Sequence, residues 1–230
     1  MQTRTRTLTR LGLATAALLV TAGLSTNAEA RRPNLTRKGG QWGVMLGGSA
    51  CIPGKAECTR DTVTVDGRTR PSLGTGAELG YRFNRFVFAG AAYNLGFFDT
   101  DYEVSGAAAS GYRRGYQNSV FGVVRPTLPV WRFDFGLGLG VGFSRQTFKR
   151  EVDGSDKDYS QGLAFKLAPT VDFFVSRRVF IGAKMDLLLN AHSRTCHQIG
   201  ANTNCTDVAD NDLAPVHQML FGLHVGGTFL

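Results

Sequence analysis

The chain has 230 residues, 26 of them Lys or Arg against 18 Asp or Glu, for a formal net charge of +8. A basic balance raises nucleic acid as a partner, but the cations are scattered along the chain rather than gathered in one stripe, which argues against that footprint. The length fits one domain, and no apolar run reaches the roughly 20 residues of a membrane-spanning helix.

Residues 1–30 carry Arg4, Arg6 and Arg10, then an apolar run from Leu11 to about Leu24, then Ala28-Glu29-Ala30 in the A-x-A form of a cleavage site. This order predicts a secretory signal peptide removed after Ala30. A short basic segment, 31–38, follows, and 39–230 reads as a single domain with no linker.

From there the dominant signal is period-2 alternation of apolar and polar or glycine positions, the mark of half-buried strands. Eight such segments occur in chain order. The first is about Gln41 to Ser49, with Trp42, Val44 and Leu46 on one face. The second, Leu73 to Phe83, sets Leu79 and Tyr81 against Glu78, Gly80 and Arg82. The third covers Phe86 to Phe97. The fourth, about Tyr116 to Leu128, is the least regular, with Val120 and Val124 opposite Ser119 and Arg125. The fifth contains RFDFGLGLGVGF and extends to about Phe148; from Phe133 to Phe143 its odd positions are apolar, and its even ones are Asp134 and four glycines. The sixth, Gly162 to Phe173, opposes Leu163, Phe165 and Val171 to Lys166 and Asp172. The seventh, Val179 to Asn190, opposes Ile181, Met185 and Leu187 to Lys184 and Asp186. The eighth, about Gln218 to Leu230, opposes Phe221, Leu223 and Phe229 to His224.

The connections alternate. Asn84-Arg85, Pro129–Trp131 and Val175–Arg178 are short, whereas about 50–71, 98–115, 149–160 and 191–216 are long and polar. Within the first long one, Val65-Asp66-Gly67-Arg68 offers an Asp-Gly hairpin turn. Four cysteines fall in two close pairs, Cys51 with Cys58 and Cys196 with Cys205. Export favours disulfides, and the two local pairings are expected among the three that four cysteines allow. Zinc is the competing reading, with His192 and His197 near Cys196, but no CxxC pair is present.

Two architectures fit alternating antiparallel strands: a soluble barrel with an apolar lumen, and a membrane barrel with an apolar outside. The glycines decide between them. Facing water, they would weaken their strand with no packing gain. Facing the narrow lumen of an eight-stranded barrel, they leave room for long charged side chains from another wall. The inward set is then Glu78, Asp134, Asp172 and Asp186 against Arg82, Arg125, Lys166 and Lys184, four acids and four bases able to pair. Pairing is required, because an unpaired charge in such a lumen costs several kcal/mol, order of magnitude. For Arg82 and Asp172, near turns, a solvated rim is the competing reading. Aromatics gather at both strand ends: Phe83, Phe86, Trp131, Phe133, Phe173 and Phe229 at the short-turn end, and Phe97, Phe98, Tyr112, Tyr116, Phe143 and Phe148 towards the long loops. Two such belts are the girdles of a membrane barrel.

On these residues the chain resembles the small eight-stranded outer-membrane barrels of Gram-negative bacteria, the OmpA, OmpX and OmpW-like group, over about 39–230. The resemblance implies an all-β, antiparallel, up-and-down transmembrane β-barrel in the bacterial outer membrane. Termini and short turns would lie in the periplasm, with long extracellular loops that put both cysteine pairs outside. It further implies outer-membrane lipid and lipopolysaccharide as neighbours, the barrel-assembly machinery as a partner, a monomer, and no cofactor. Family members usually end on an aromatic that marks the last strand for assembly; this chain ends Phe229-Leu230, which makes Phe229 the shifted equivalent.

Three function classes follow. The first is a structural or surface-interaction barrel whose lumen is plugged by paired charges. The second is a narrow channel or passive route for small solutes, as the OmpW-like resemblance implies. The third is a lipid-modifying enzyme, with His192, Ser193, His197, His217, Asp207, Asp210 and Asp212 as the residues to consider; the sequence shows only their proximity in one polar stretch, and a non-enzyme is expected. His224, alone on its face, reads as a packed lumen histidine rather than a ligand. GLGLGVG lies in a period-2 strand with no following helix, so its likeness to a phosphate-binding loop is accidental.

Overall fold

In the computed structural model, the described residues are 35–52, 70–99, 102–104, 107–109, 112–150, 156–207 and 217–229. The expected signal peptide, the 62–68 hairpin, Cys58 with the side chain of Cys51, Asp210 and Asp212 lie outside them. The strands are β1 (Gly39–Ile52), β2 (Arg70–Arg82), β3 (Val87–Asp99), β4 (Tyr102–Val104), β5 (Ala107–Ala109), β6 (Tyr112–Val130), β7 (Phe133–Arg150), β8 (Lys157–Phe174), β9 (Val179–Ile199), β10 (Asn202–Asp207) and β11 (His217–Phe229).

Every neighbouring pair is antiparallel. β1 pairs with β2, β2 with β3, β3 with β6, β6 with β7, β7 with β8, β8 with β9, β9 with β11, and β11 returns to β1, Gly40 facing Phe229. The chain is thus an eight-stranded, up-and-down, closed barrel. Closure leaves the wall without a free edge, the requirement for a sheet in lipid. Two short hairpins stand beside it: β4 with β5, and β10 folded back on the end of β9.

The apolar face is outside. Leu223 is 74% exposed, and Leu46, Leu79, Val120, Leu139 and Leu163 are likewise exposed, while the alternate positions are buried. This is the reverse of a soluble barrel, whose apolar residues fill the lumen.

Several sequence expectations are corrected. The segment 191–216 is not simply a long loop: β9 runs on to Ile199, turns at Gly200 (φ 55°), and returns as β10. The connection expected at 149–160 narrows to 151–156 between β7 and β8. Beyond the apolar band a strand has no greasy face to sort, so the alternation that betrays it disappears while its backbone pairing continues. Phe148 is also not part of an outer girdle; at an even position of β7 it is 2% exposed.

The interior is not lined by charge and glycine alone. Met45, Ala92, Phe121, Val123, Ala164, Leu188 and Leu220 form a buried apolar cluster. Phe88, Phe174 and Phe180 are buried as well.

Candidate functional site: the barrel interior

All eight residues of the expected charge network face inward and are buried, none more than 6% exposed. That includes Arg82 and Asp172, so the wet-rim alternative for them is not what the structure has.

At the short-turn end, Arg82 Nη1 donates to Asp134 Oδ2 at 2.6 Å, and its other nitrogens donate to the carbonyls of Asn84 and Arg85. Arg37, from the segment before β1, completes a triad with Nε 3.0 Å from Asp134 Oδ1. Its Nη2 donates to the Trp131 carbonyl at 2.6 Å. Asp172 is joined not to a lysine or arginine but to His224, whose Nδ1 lies 2.9 Å from Oδ1. That imidazole stands over Gly43, where a Cβ would come within 2.3 Å of Nε2.

In the middle, Glu78 is held by Arg125 Nη2 at 2.7 Å and Lys184 Nζ at 2.9 Å. Asp186 Oδ2 accepts from Lys166 at 2.9 Å and from Asn94 Nδ2 at 2.6 Å, and Lys166 also donates to Asn94 Oδ1. Lys184 stands 3.8 Å from Asp186 Oδ1 and so links the two carboxylates. The charged heads also lie over aromatic faces: the Arg125 guanidinium is 4.6 Å from the Phe88 ring centre, and Lys166 Nζ is 5.7 Å from that of Phe121.

The glycines of β7 supply the space. A Cβ on Gly136 would meet Cδ of Arg125 at 2.8 Å, and one on Gly140 would meet Cβ of Lys166 at 3.2 Å. The bare face of RFDFGLGLGVGF is therefore the floor on which two long cations lie.

Towards the long loops, past the apolar cluster, a layer of amides, hydroxyls and His192 lines the lumen. Gln146 donates to Gln117, Gln117 to Ser119 and Asn190, and Asn190 back to Gln117. Ser144 donates to Asn190 Oδ1 at 2.7 Å and meets His192 Nε2 at 2.6 Å; Ser160 meets His192 Nδ1 at 2.9 Å. Sequence reasoning missed this layer. Its signal was present, since Ser144 and Gln146 continue the even face of β7, but amides and hydroxyls in a strand read equally as a polar loop.

The histidines considered for chemistry are accounted for differently. His192 points into the lumen between Ser144 and Ser160, both buried, so neither hydroxyl is open to a substrate. His197 meets Asp158, and His217 Nδ1 accepts from the Asn190 backbone N–H at 3.2 Å. Ser193 is exposed, and Asp207 lies opposite Arg194, 3.9 Å from its Nε at the surface. Cys196 and Cys205, directly opposite on β9 and β10, form a disulfide. Phe229, at the end of β11, is exposed with its ring packed against Gly40.

No family model matches the chain, and no curated protein matches its sequence. Among solved structures, the outer membrane protein OprG from Pseudomonas aeruginosa aligns at 14% identity over 84% of this chain and 98% of that one, with a TM-score of 0.51. Ail of Yersinia pestis aligns at 11% identity over 83% of this chain and 99% of that one, with a TM-score of 0.41. Set beside the closed wall and its outward apolar face, the likeness to OprG gives the chain the fold of the small eight-stranded outer-membrane β-barrels.

Proposed function

We propose that the chain is an integral outer-membrane barrel with a structural or surface-interaction role, its lumen stoppered rather than open. The observation that carries this reading is the burial of the whole inward charge set, 0% to 6% exposed, with seven of the eight in ion pairs with one another and Asp172 hydrogen-bonded to His224. A water-filled conduit would wet its charged lining. Here the charges are desolvated and each has a hydrogen-bonding or ion-pair partner inside the lumen, which is what makes their burial tolerable. The exposed apolar band supports the membrane, and the signal-like 1–30 segment supports export to it.

On this reading lipopolysaccharide and outer-membrane lipid surround the wall. Phe229, exposed at the end of the closing strand, serves as the mark read by the assembly machinery.

The test is ion conductance of the refolded chain in a planar lipid bilayer, beside Lys184→Ala. We expect no steady current from the native protein. Reproducible steps whose size changes with Lys184→Ala would instead assign the barrel as a narrow channel for small solutes.

A further inference from the structure

The two ends of the barrel differ in charge. The short-turn end consists of residues 35–38 and the connections 83–86, 131–132 and 175–178, whose charged residues are Arg37, Lys38, Arg85, Arg132, Arg177 and Arg178, with no Asp or Glu. Arg37 is engaged by Asp134. The other five are exposed or half-buried, and among the described residues none has a carboxylate at ion-pair distance. The nearest acids, Asp134 and Asp172, are buried and already held by Arg82, Arg37 and His224. Nε of Arg132 is buried without a hydrogen-bond partner. At the other end, by contrast, charges alternate in sign, as in Asp156-Lys157-Asp158 and Arg194 with Asp207.

The cations of this rim are interleaved with exposed aromatics. The Arg85 guanidinium is 4.6 Å from the Phe86 ring centre and that of Arg132 is 5.5 Å from Trp131. Phe83 is exposed beside them. A partner reaching the cations therefore reaches the apolar belt in the same contact. A soluble polyanion meets the first and leaves the second in water, whereas a bilayer leaflet meets both, with charge at headgroup depth and rings just below it.

We propose that the short-turn rim is a docking ring for the headgroups of anionic phospholipids, gathered around Lys38, Arg85, Arg132, Arg177 and Arg178. The proposal rests on the membrane reading above. The anions supply the counter-charge that the described residues of this rim lack, and they fix the depth at which the barrel sits.

The chain carries its own reporters, because both of its tryptophans, Trp42 and Trp131, are exposed near this end. The experiment measures tryptophan fluorescence of the refolded chain in phosphatidylcholine vesicles that contain a fixed fraction of either brominated phosphatidylglycerol or brominated phosphatidylcholine. We expect the anionic quencher to exceed the zwitterionic one by about twofold at low salt, with the excess lost near about 1 M salt, where screening is nearly complete. The excess should vanish in the variant carrying Arg85→Gln, Arg132→Gln, Arg177→Gln and Arg178→Gln. It should persist when the same four positions are changed to Lys.

Equal quenching by the two lipids in the native chain overturns the docking ring, as does an excess that survives the Gln variant. Loss of the excess on adding soluble polyglutamate would overturn it in favour of an acidic macromolecular partner. No quenching by either lipid means that the chain has not entered the bilayer, and it is then the membrane reading itself that fails.

Discussion

Asp186 shows how tightly single residues are committed in this interior. One of its oxygens takes both Lys166 and Asn94, and the other faces Lys184. Truncating it leaves two buried ammonium groups short of an anion. Asp186→Ala is expected to destabilise the barrel by about 3–5 kcal/mol, the cost of an orphaned buried charge. Adding Lys166→Met should recover most of that loss, because the charge goes with its partner; urea unfolding in lipid vesicles of the two single variants and the double measures the coupling. A double variant as unstable as the two losses combined would show that the pair is not a unit. The eight charged positions were legible because each interrupts an apolar alternation on the bare face of its strand. The partner choice was not: Asp172 on β8 takes His224 on β11 across the intervening β9 rather than a lysine, a matter of which inward side chains reach one another over a neighbouring strand, and strand periodicity does not record that. Arg37, too, was unreadable as a lumen residue, since its segment has no alternation.

Among the elements, the β9–β10 hairpin departs most from its sequence signal. Its strands are polar, and β10 is exposed throughout, so no apolar burial holds it. Backbone pairing and the Cys196–Cys205 bond do. The bond spans 9 positions, a short loop, and on chain-entropy grounds is worth roughly 2–3 kcal/mol. Replacing both cysteines by Ser should speed amide exchange in 202–207 while leaving β1 to β3 as protected as before. Loss of protection across the whole barrel would mean that the hairpin braces the wall. The barrel strands themselves were readable to within a few residues in their membrane part, where one face must be apolar. They were read too short at the long-loop end, where that demand stops: β8 begins at Lys157, five residues before the alternation does.

At the scale of the molecule, closure and an outward apolar face define the fold, and both followed from placing the glycines inside. The buried Phe121 and Leu188 cluster did not. β6 reads apolar on both faces through Val120–Val124, so its inward residues could not be told from its lipid-facing ones. A closed wall of this kind resists detergent, and the unboiled protein is expected to migrate differently from the boiled protein on a denaturing gel; unchanged mobility would count against the barrel in solution.

The lumen bonds also join parts of the chain that are remote in sequence: Asn94 with Asp186 across 92 residues, Glu78 with Lys184 across 106, Ser49 with Gln218 across 169. None can form within a single hairpin. During assembly, then, Lys166 and Asp186 can already meet within the β8–β9 hairpin, but the bonds from β1, β2 and β3 to β9 and β11 wait for the meeting of β1 with β11. These long-range bonds reward completion, so folding should be slow, late-committing and steeply cooperative, with the zipping of the last seam as its decisive event.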